Sequence, residues 1–178
     1  MDDSTKTWVE GAWPRVLHVI VTWWERLQEP ANRGMKAELR RARGADDVAL
    51  QGPYYALLAK IMAMEDLGVL KRSIPYRLPS VIGVLAHVKS NNPKVEVAEA
   101  MGAKKKGSDQ ALVSDLRFRR ILRLEEGGEL YTTMIRVTRM LDGSVNVADL
   151  ASSIFFWNEK TRKRWASQYY LKRNIFED

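Results

Sequence analysis

Apolar residues recur three or four positions apart along almost the whole chain, which is the spacing of one face of an α-helix. In the segment YYALLAKIMAM, for example, Leu57, Leu58, Ile61 and Met64 follow this spacing. No stretch of useful length alternates apolar and polar residues as a half-buried strand does. Proline and glycine fall between the periodic segments, where they end helices. The sequence therefore predicts an all-α fold with no sheet.

The chain of 178 residues is long enough for one compact domain or two small ones. The segment GAKKKGSD, residues 102–109, is charged and contains two glycines, which is typical of a mobile connection. We therefore expect two small helical bundles joined by this short loop, an N-terminal bundle over residues 1–107 and a C-terminal four-helix bundle over 108–178.

Helix boundaries are predicted from the breaks in the periodic pattern. In the first bundle we expect helices at about 8–28, 35–43, 54–68 and 80–90, with the proline-containing segment LKRSIPYRLP as a loop. In the second we expect helices at about 110–126, 129–142, 147–157 and 159–173. Asn146 and Asp149 resemble a capping box, and Asn158 can cap the last helix.

The segment SDLRFRRILRLEE has an apolar side and a basic side when it is drawn as a helix. Phe118, Ile121 and Leu122 occupy one arc of roughly 100°, and four arginines take the other side: Arg117, Arg119, Arg120 and Arg123. In the next helix Arg136 and Arg139 also lie opposite the apolar stripe. A guanidinium is costly to bury unpaired, so these faces should meet water or an anion. Together with a net charge of +7, they point to a polyanion or an acidic protein surface as partner.

The last helix combines two aromatic residues with a basic run. Trp165 and Tyr169 lie one turn apart, and we expect both in the core. Lys160, Lys163 and Arg164 project elsewhere.

Residue patterns that carry chemistry are missing from the sequence. There is no cysteine, no P-loop and no paired-histidine metal motif, and His18 and His87 lie on separate helices. The acidic pairs at 46–47 and 65–66 lack the further carboxylates of a two-metal site. We therefore expect no enzyme activity, no cofactor and no metal. The acidic N-terminus is unlike a signal peptide, and the apolar run at 16–24 is about half a membrane span, which favours a cytoplasmic protein.

The C-terminal third resembles the CasB family. The segments SDLRFRRILRLE, IRVTRML, VNVADLASSIFFW and TRKRWASQYY follow one another in the family's order. The most specific parts are R-W-A-x-x-Y-Y and the apolar helix that ends in Trp157. AELRRARG followed by YYALLAKIMAM also fits the family's N-terminal half. The resemblance is strong from about Ser114 to Tyr170, loose from Leu70 to Gln110, and covers most of the chain.

The CasB family is the small subunit of the type I-E CRISPR surveillance complex, Cascade. The resemblance implies two helical bundles, and two copies packed head to tail that brace the subunits holding the guide RNA. It also implies contacts to the target strand and the displaced strand of the R-loop, without catalysis. R-loop formation is a nearly balanced exchange of duplexes, so modest phosphate contacts can tip it.

The resemblance also implies which basic residues contact nucleic acid. Arg136 or Arg139 matches the family's arginine in the second basic helix, and we include both. The expected contacts are Arg40, Arg41, Arg43, Arg117, Arg120, Arg123, Arg136, Arg139, Lys160, Arg162, Lys163 and Arg164. Where some relatives carry a basic residue, this chain has Pro53 and Tyr54, so that contact is in question. The Lys104–Lys106 loop could substitute for it.

Two other functions fit parts of the sequence. NVADLASSIFFWNEKTRKRW could form a helix-turn-helix unit of a regulator that binds double-stranded DNA, although it lacks a glycine turn and its second helix carries core aromatics. A nuclease is a third possibility, which turnover sensitive to an Asp or Glu substitution would support.

Overall fold

The computed structural model describes the backbone of residues 3–173 and the side chains of residues 11–173. The chain forms two compact units, the first up to Ala86 and the second from His87 onward. Helices dominate both units, which confirms the prediction of an all-α protein. Within the described residues no helix is long and apolar enough to cross a membrane.

In the part of the first unit that the structure describes, there are five α-helices and one 3-10 turn. In chain order they are α1 (Asp3–Leu27), the 3-10 turn (Pro30–Asn32), α2 (Arg33–Arg41), α3 (Ala45–Ala49), α4 (Gly52–Met62) and α5 (Leu70–Leu85). Leu57 of α4 and Ile74 of α5 are fully buried. The Trp24 indole N–H donates to the carbonyl oxygen of Leu85 at 3.1 Å, which joins α1 to the end of α5.

Helix α5 differs from the prediction of a loop at LKRSIPYRLP. The helix runs from Leu70 through Pro75 and Pro79, and it therefore begins ten residues before the expected start at about residue 80. A proline inside a helix costs about 3 kcal/mol in isolation. Ile74 and Leu78 are fully buried, and the burial of this apolar face offsets the local cost. The loop prediction was wrong because it rested on the two prolines and did not consider the apolar stripe that includes Ile74 and Leu78.

Up to residue 173, the second unit contains five α-helices and two very short strands. They are α6 (Val97–Gly102), α7 (Asp115–Leu122), α8 (Gly128–Met140), α9 (Val147–Phe155) and α10 (Glu159–Arg173), with β1 (Ser90–Asn91) and β2 (Ser144–Val145). The strands pair in parallel, with Ser90 opposite Ser144. This two-residue pairing is a small departure from the expectation of no sheet.

Residues 87–107, which the sequence assigns to the first bundle, pack with the second. Helix α6 crosses α10 so closely that a Cβ on Gly102 would lie 2.6 Å from the carbonyl oxygen of Tyr169. Beyond α6, Lys104 pairs with Ala111 in an isolated antiparallel bridge. The structure therefore divides the chain at residues 86 and 87, and the GAKKKGSD segment is an internal loop of the second unit.

The predicted caps and aromatic core of the second unit are confirmed. The Asn146 side chain accepts from the backbone N–H of Asp149 at 3.0 Å, and Asn158 accepts from that of Thr161 at 3.1 Å. Trp165 and Tyr169 are fully buried, as the spacing predicts.

Candidate nucleic-acid interface

Helices α7 and α8 border a groove with a volume of about 830 Å³. Five arginines line it, and we call it the arginine groove: Arg117, Arg120, Arg123, Arg136 and Arg139. All five side chains are exposed. The sequence predicted each of them as a nucleic-acid contact, and the structure brings them together around one groove.

The burial of one face of α7 directs its arginines outward. Phe118 and Ile121 are buried, and the Phe118 ring stacks on the Tyr169 ring with centroids 3.8 Å apart. Since residues on the opposite side of a helix point away from its buried stripe, Arg117 and Arg120 face solvent.

Helix α8 uses the same pattern. Met134 and Val137 are fully buried, whereas Arg136 and Arg139 lie on the exposed side. The connection between α7 and α8 is short and contains Gly127, whose φ of 145° is unusual for other residues. The two arginine-bearing faces therefore border the same groove.

The arginine groove has a strong excess of positive charge. Among the residues whose side chains the structure describes, Glu129 is the one acidic residue that lines it. Within the described part of the chain, none of its five arginines forms an ion pair. Arg119, on the same helix but outside the groove, differs because it pairs with Asp115 at 2.8 Å. Unpaired, exposed guanidinium groups on two neighbouring helices are suited to phosphate oxygens, which they can bind with two parallel hydrogen bonds.

Apolar side chains lie between these arginines. Ile121, Leu124 and Met140 line the groove together with Thr133. Ile121 is buried, whereas Leu124 and Met140 are half-buried. The carbonyl oxygen of Leu124 accepts from the Trp157 indole N–H at 2.8 Å, which fixes the end of the α7 segment to the turn before α10.

The predicted basic run of α10 has a different environment. Arg162 pairs with Glu125 at 3.0 Å, and Lys163 pairs with Glu159 at 2.6 Å. Lys160 is exposed. Two of these three cations therefore already have a carboxylate partner within the protein.

Arg164 is part of a polar network that the sequence does not reveal. Its guanidinium contacts Asp149 at 2.6 Å and Glu96 at 3.5 Å, and it donates to the Ser153 hydroxyl at 2.7 Å. The Asp149 side chain is only 3% exposed. It also accepts from the backbone N–H of Val97 at 2.8 Å. Asp149 was expected only as part of a cap, because the capping spacing is local and the contact to α6 is not.

Glu96 lies beside this network with an unusual proton affinity. Partial burial, followed by the hydrogen bond to Asp149 and the charge of that residue, raises the pKa of Glu96 from 4.5 to about 7. The positive charge of Arg164 acts in the opposite direction. Glu96 therefore holds a proton under mildly acidic conditions, and that proton joins the two carboxyl groups.

We expect the stability of the protein to fall by about 1 kcal/mol as the pH rises from 4.5 to about 7. The folded protein keeps the Glu96 proton through this window, whereas the unfolded chain releases it near 4.5, so folding is favoured at the acidic end. The expected change is modest because the Glu96 side chain is 41% exposed and water screens it. Urea unfolding of the wild type and Glu96→Gln at pH 5 and pH 8 measures it. Glutamine mimics the protonated acid, so an equal pH dependence in both proteins would contradict the assignment.

The predicted contacts of the first unit lie at the end of α2. Arg40 and Arg41 are in its last turn and Arg43 follows it, and all three are exposed. The Arg41 side chain donates to the carbonyl oxygen of Ala37 at 3.1 Å. Arg40 and the side chain of Arg43 have no such contact among the described residues.

Two segments were considered above as a possible further contact: Pro53 with Tyr54, and the Lys104–Lys106 loop. Pro53 and Tyr54 are buried in the first unit, and the Tyr54 hydroxyl donates to the carbonyl oxygen of Pro75 at 3.0 Å. In the loop of three lysines, Lys104 pairs with Asp109 at 3.0 Å.

Comparison with known proteins gives one match. The family described as CRISPR-associated protein Cse2 matches residues 35–170, which is more than half of the chain and includes the whole arginine groove. No curated protein and no solved structure matches the chain.

Proposed function

The chain belongs to the Cse2 (CasB) family, the small subunit of type I-E Cascade, and we propose that its arginine groove binds single-stranded nucleic acid within that complex. In this role the protein is a non-catalytic, cytoplasmic subunit. It braces the subunits that hold the guide RNA, next to a second copy of itself. It also holds the target strand or the displaced strand after the R-loop opens.

The observation that carries this proposal is the convergence on one groove of five exposed arginines that have no ion-pair partner among the described residues. Each arginine that meets a phosphate releases condensed counterions, and this contribution does not depend on base sequence. Strand exchange in an R-loop is close to balanced in free energy. A few additional phosphate contacts therefore suffice to favour the open state at any target sequence.

We expect the double variant Arg117→Ala, Arg123→Ala to shorten the lifetime of the R-loop with little change in folding. Both side chains are exposed and line the arginine groove. Each phosphate contact to a single strand contributes about 0.7 to the salt dependence of binding, so the slope should fall by roughly 1.4. The measurement is R-loop dissociation from the assembled complex at several salt concentrations.

The matched control is the double variant Arg119→Ala, Lys172→Ala. It removes the same charge from the same protein, at residues outside the predicted contacts whose cations already pair with Asp115 and Glu99. An equal loss in both double variants would assign the effect to net charge. An unchanged slope in the first variant would remove the arginine groove from the interface.

The alternative of a helix-turn-helix regulator has less support. In that reading α10 would enter the major groove, but Trp165 and Tyr169 on it are fully buried, and three members of its basic run pair with carboxylates. Specific binding of the isolated chain to one duplex would support the regulator instead.

A further inference from the structure

We infer that the arginine groove also takes an unpaired nucleobase, which lies against Leu124 and Met140 while the neighbouring phosphates meet the arginines. The inference rests on the proposed function and names the ligand class of the same site. It makes the protein a reader of unstacked single strands, rather than a general surface for any polyanion.

The first argument is the size of the groove. Phosphate contacts alone need only an exposed row of cations, yet the arginines surround a volume of about 830 Å³. Sites for small organic groups typically have about 300–1,000 Å³. The arginine groove is therefore large enough for a nucleotide with its base.

The second argument is the chemistry of the lining. Leu124 and Met140 are half-buried and add apolar surface to the same groove that the five arginines line. Apolar surface does not attract phosphate, but it matches the flat face of a base. Proteins that bind single strands combine a basic track with aromatic side chains on which bases stack, and in this groove aliphatic side chains take that place. In a duplex the base faces are stacked inside, so a duplex would leave this surface uncovered.

The third argument is the placement of the arginines. Arg117 and Arg120 lie on α7 and Arg123 directly follows it, and a helical rise of about 1.5 Å per residue spreads the three over about 9 Å. Arg136 and Arg139 line the groove from α8. Cations on both helices and along α7 can contact phosphates on either side of one base.

The fourth argument is that the apolar part is held in place before any ligand binds. The backbone of Leu124 is fixed by the Trp157 indole at 2.8 Å. The Trp157 ring packs edge-on against Trp165 with centroids 5.0 Å apart. Next to Leu124, Glu125 pairs with Arg162 at 3.0 Å. A surface that is already ordered loses less entropy on binding.

The test compares oligonucleotides that share their phosphates and differ in their bases. The probes are an oligothymidylate of about 12 nucleotides, within the size range of single-strand sites, and the same strand with abasic residues. A duplex and an oligouridylate of equal length are added. The proteins are the full wild-type chain, Leu124→Gln, Met140→Gln, and Arg117→Ala with Arg123→Ala. Gln has about the length of Met and is one atom longer than Leu, and it makes both positions polar.

We expect the wild type to bind the natural strand about 5-fold more tightly than the abasic strand, near the lower end of base-stacking effects. The two Gln variants should lose this preference and keep the wild-type salt slope. The arginine variant should keep the preference for the natural strand, and its affinity should depend less steeply on salt concentration. If the wild type binds oligouridylate more tightly than oligothymidylate, RNA is the source of the base. If it binds oligothymidylate more tightly, DNA is the source.

Equal affinity of the wild type for natural and abasic strands would overturn the inference. The proposed function would still stand if the arginine variant lost slope in the assembled complex. No binding by the isolated chain at a concentration of about 1 mM, far above the range of useful single-strand affinities, would likewise overturn the inference. An unchanged slope of the arginine variant in the complex would instead remove the proposed function.

Discussion

Replacing Trp165 with alanine is expected to lower the free energy of unfolding of the second unit by about 3–5 kcal/mol, as for other buried aromatic residues. The indole is fully buried and packs edge-on against Trp157 at 5.0 Å. Its N–H donates to the Ser153 hydroxyl at 2.9 Å. Removing the ring therefore leaves a cavity and one buried hydroxyl with fewer partners. Urea or thermal unfolding of the full chain measures the loss.

Two further variants make the Trp165 result specific. Trp165→Phe keeps most of the ring volume and loses the N–H donor, so it should lie between the wild type and the alanine variant. Leu171→Ala, at a position of α10 that is 68% exposed, should change stability by less than about 0.5 kcal/mol. If Trp165→Ala unfolds like the wild type but loses nucleic-acid binding, Trp165 is a stacking residue and not a core residue.

Replacing Asp149 with alanine should cost about 3 kcal/mol, at the lower end of the range for breaking a buried ion pair. The carboxylate is almost fully buried and contacts the Arg164 guanidinium at 2.6 Å. It also accepts from the backbone N–H of Val97 at 2.8 Å. Without it the Val97 N–H loses its acceptor. Arg164 is 40% exposed and can turn toward water, which limits the loss.

The control for Asp149 is Glu159→Ala. Glu159 also pairs with a cation of α10, Lys163, but both side chains are about three-quarters exposed. Such a surface pair contributes about 0–1 kcal/mol. An equal loss of unfolding free energy in the two variants would show that the buried Asp149 network stabilises the protein no more than an exposed ion pair does.

A substitution of Arg164 can distinguish a structural role of this residue from a role in binding. It was predicted as a nucleic-acid contact, and the structure gives it three partners inside the protein. We propose that it mainly positions α10. Under that assignment Arg164→Gln lowers stability and leaves the salt slope of binding unchanged. A slope lower by about 0.7 would return it to the interface.

The arginine groove could be predicted from the sequence because its geometry is local. Helical periodicity determines that Arg117 and Arg120 lie opposite Phe118 and Ile121, and a short glycine-containing connection places the next helix alongside. The same reasoning predicted the Asn146 cap, which depends on residues three apart.

What the sequence did not predict depends on long-range packing. Asp149 meets α6 across some fifty residues of chain, and no local spacing signals such a contact. The helix through Pro75 and Pro79 forms because its apolar face is buried, which outweighs a local preference. Residues 87–107 pack with the second unit, where Gly102 allows α6 to approach α10 closely. The domain boundary was predicted from the charges and glycines of the 102–109 segment, and these do not reveal that contact.

The crossing of α6 and α10 has a consequence for the order in which the protein can be made. The first unit is contained in residues up to 86 and can fold as soon as they have left the ribosome. In the second unit the first helix, α6, packs on the last helix, α10. Strand β1 at residue 90 can pair only after β2 at residue 144 has been synthesised. Contacts between distant segments form slowly. The apolar face of α6 therefore stays without its α10 contacts until translation reaches α10.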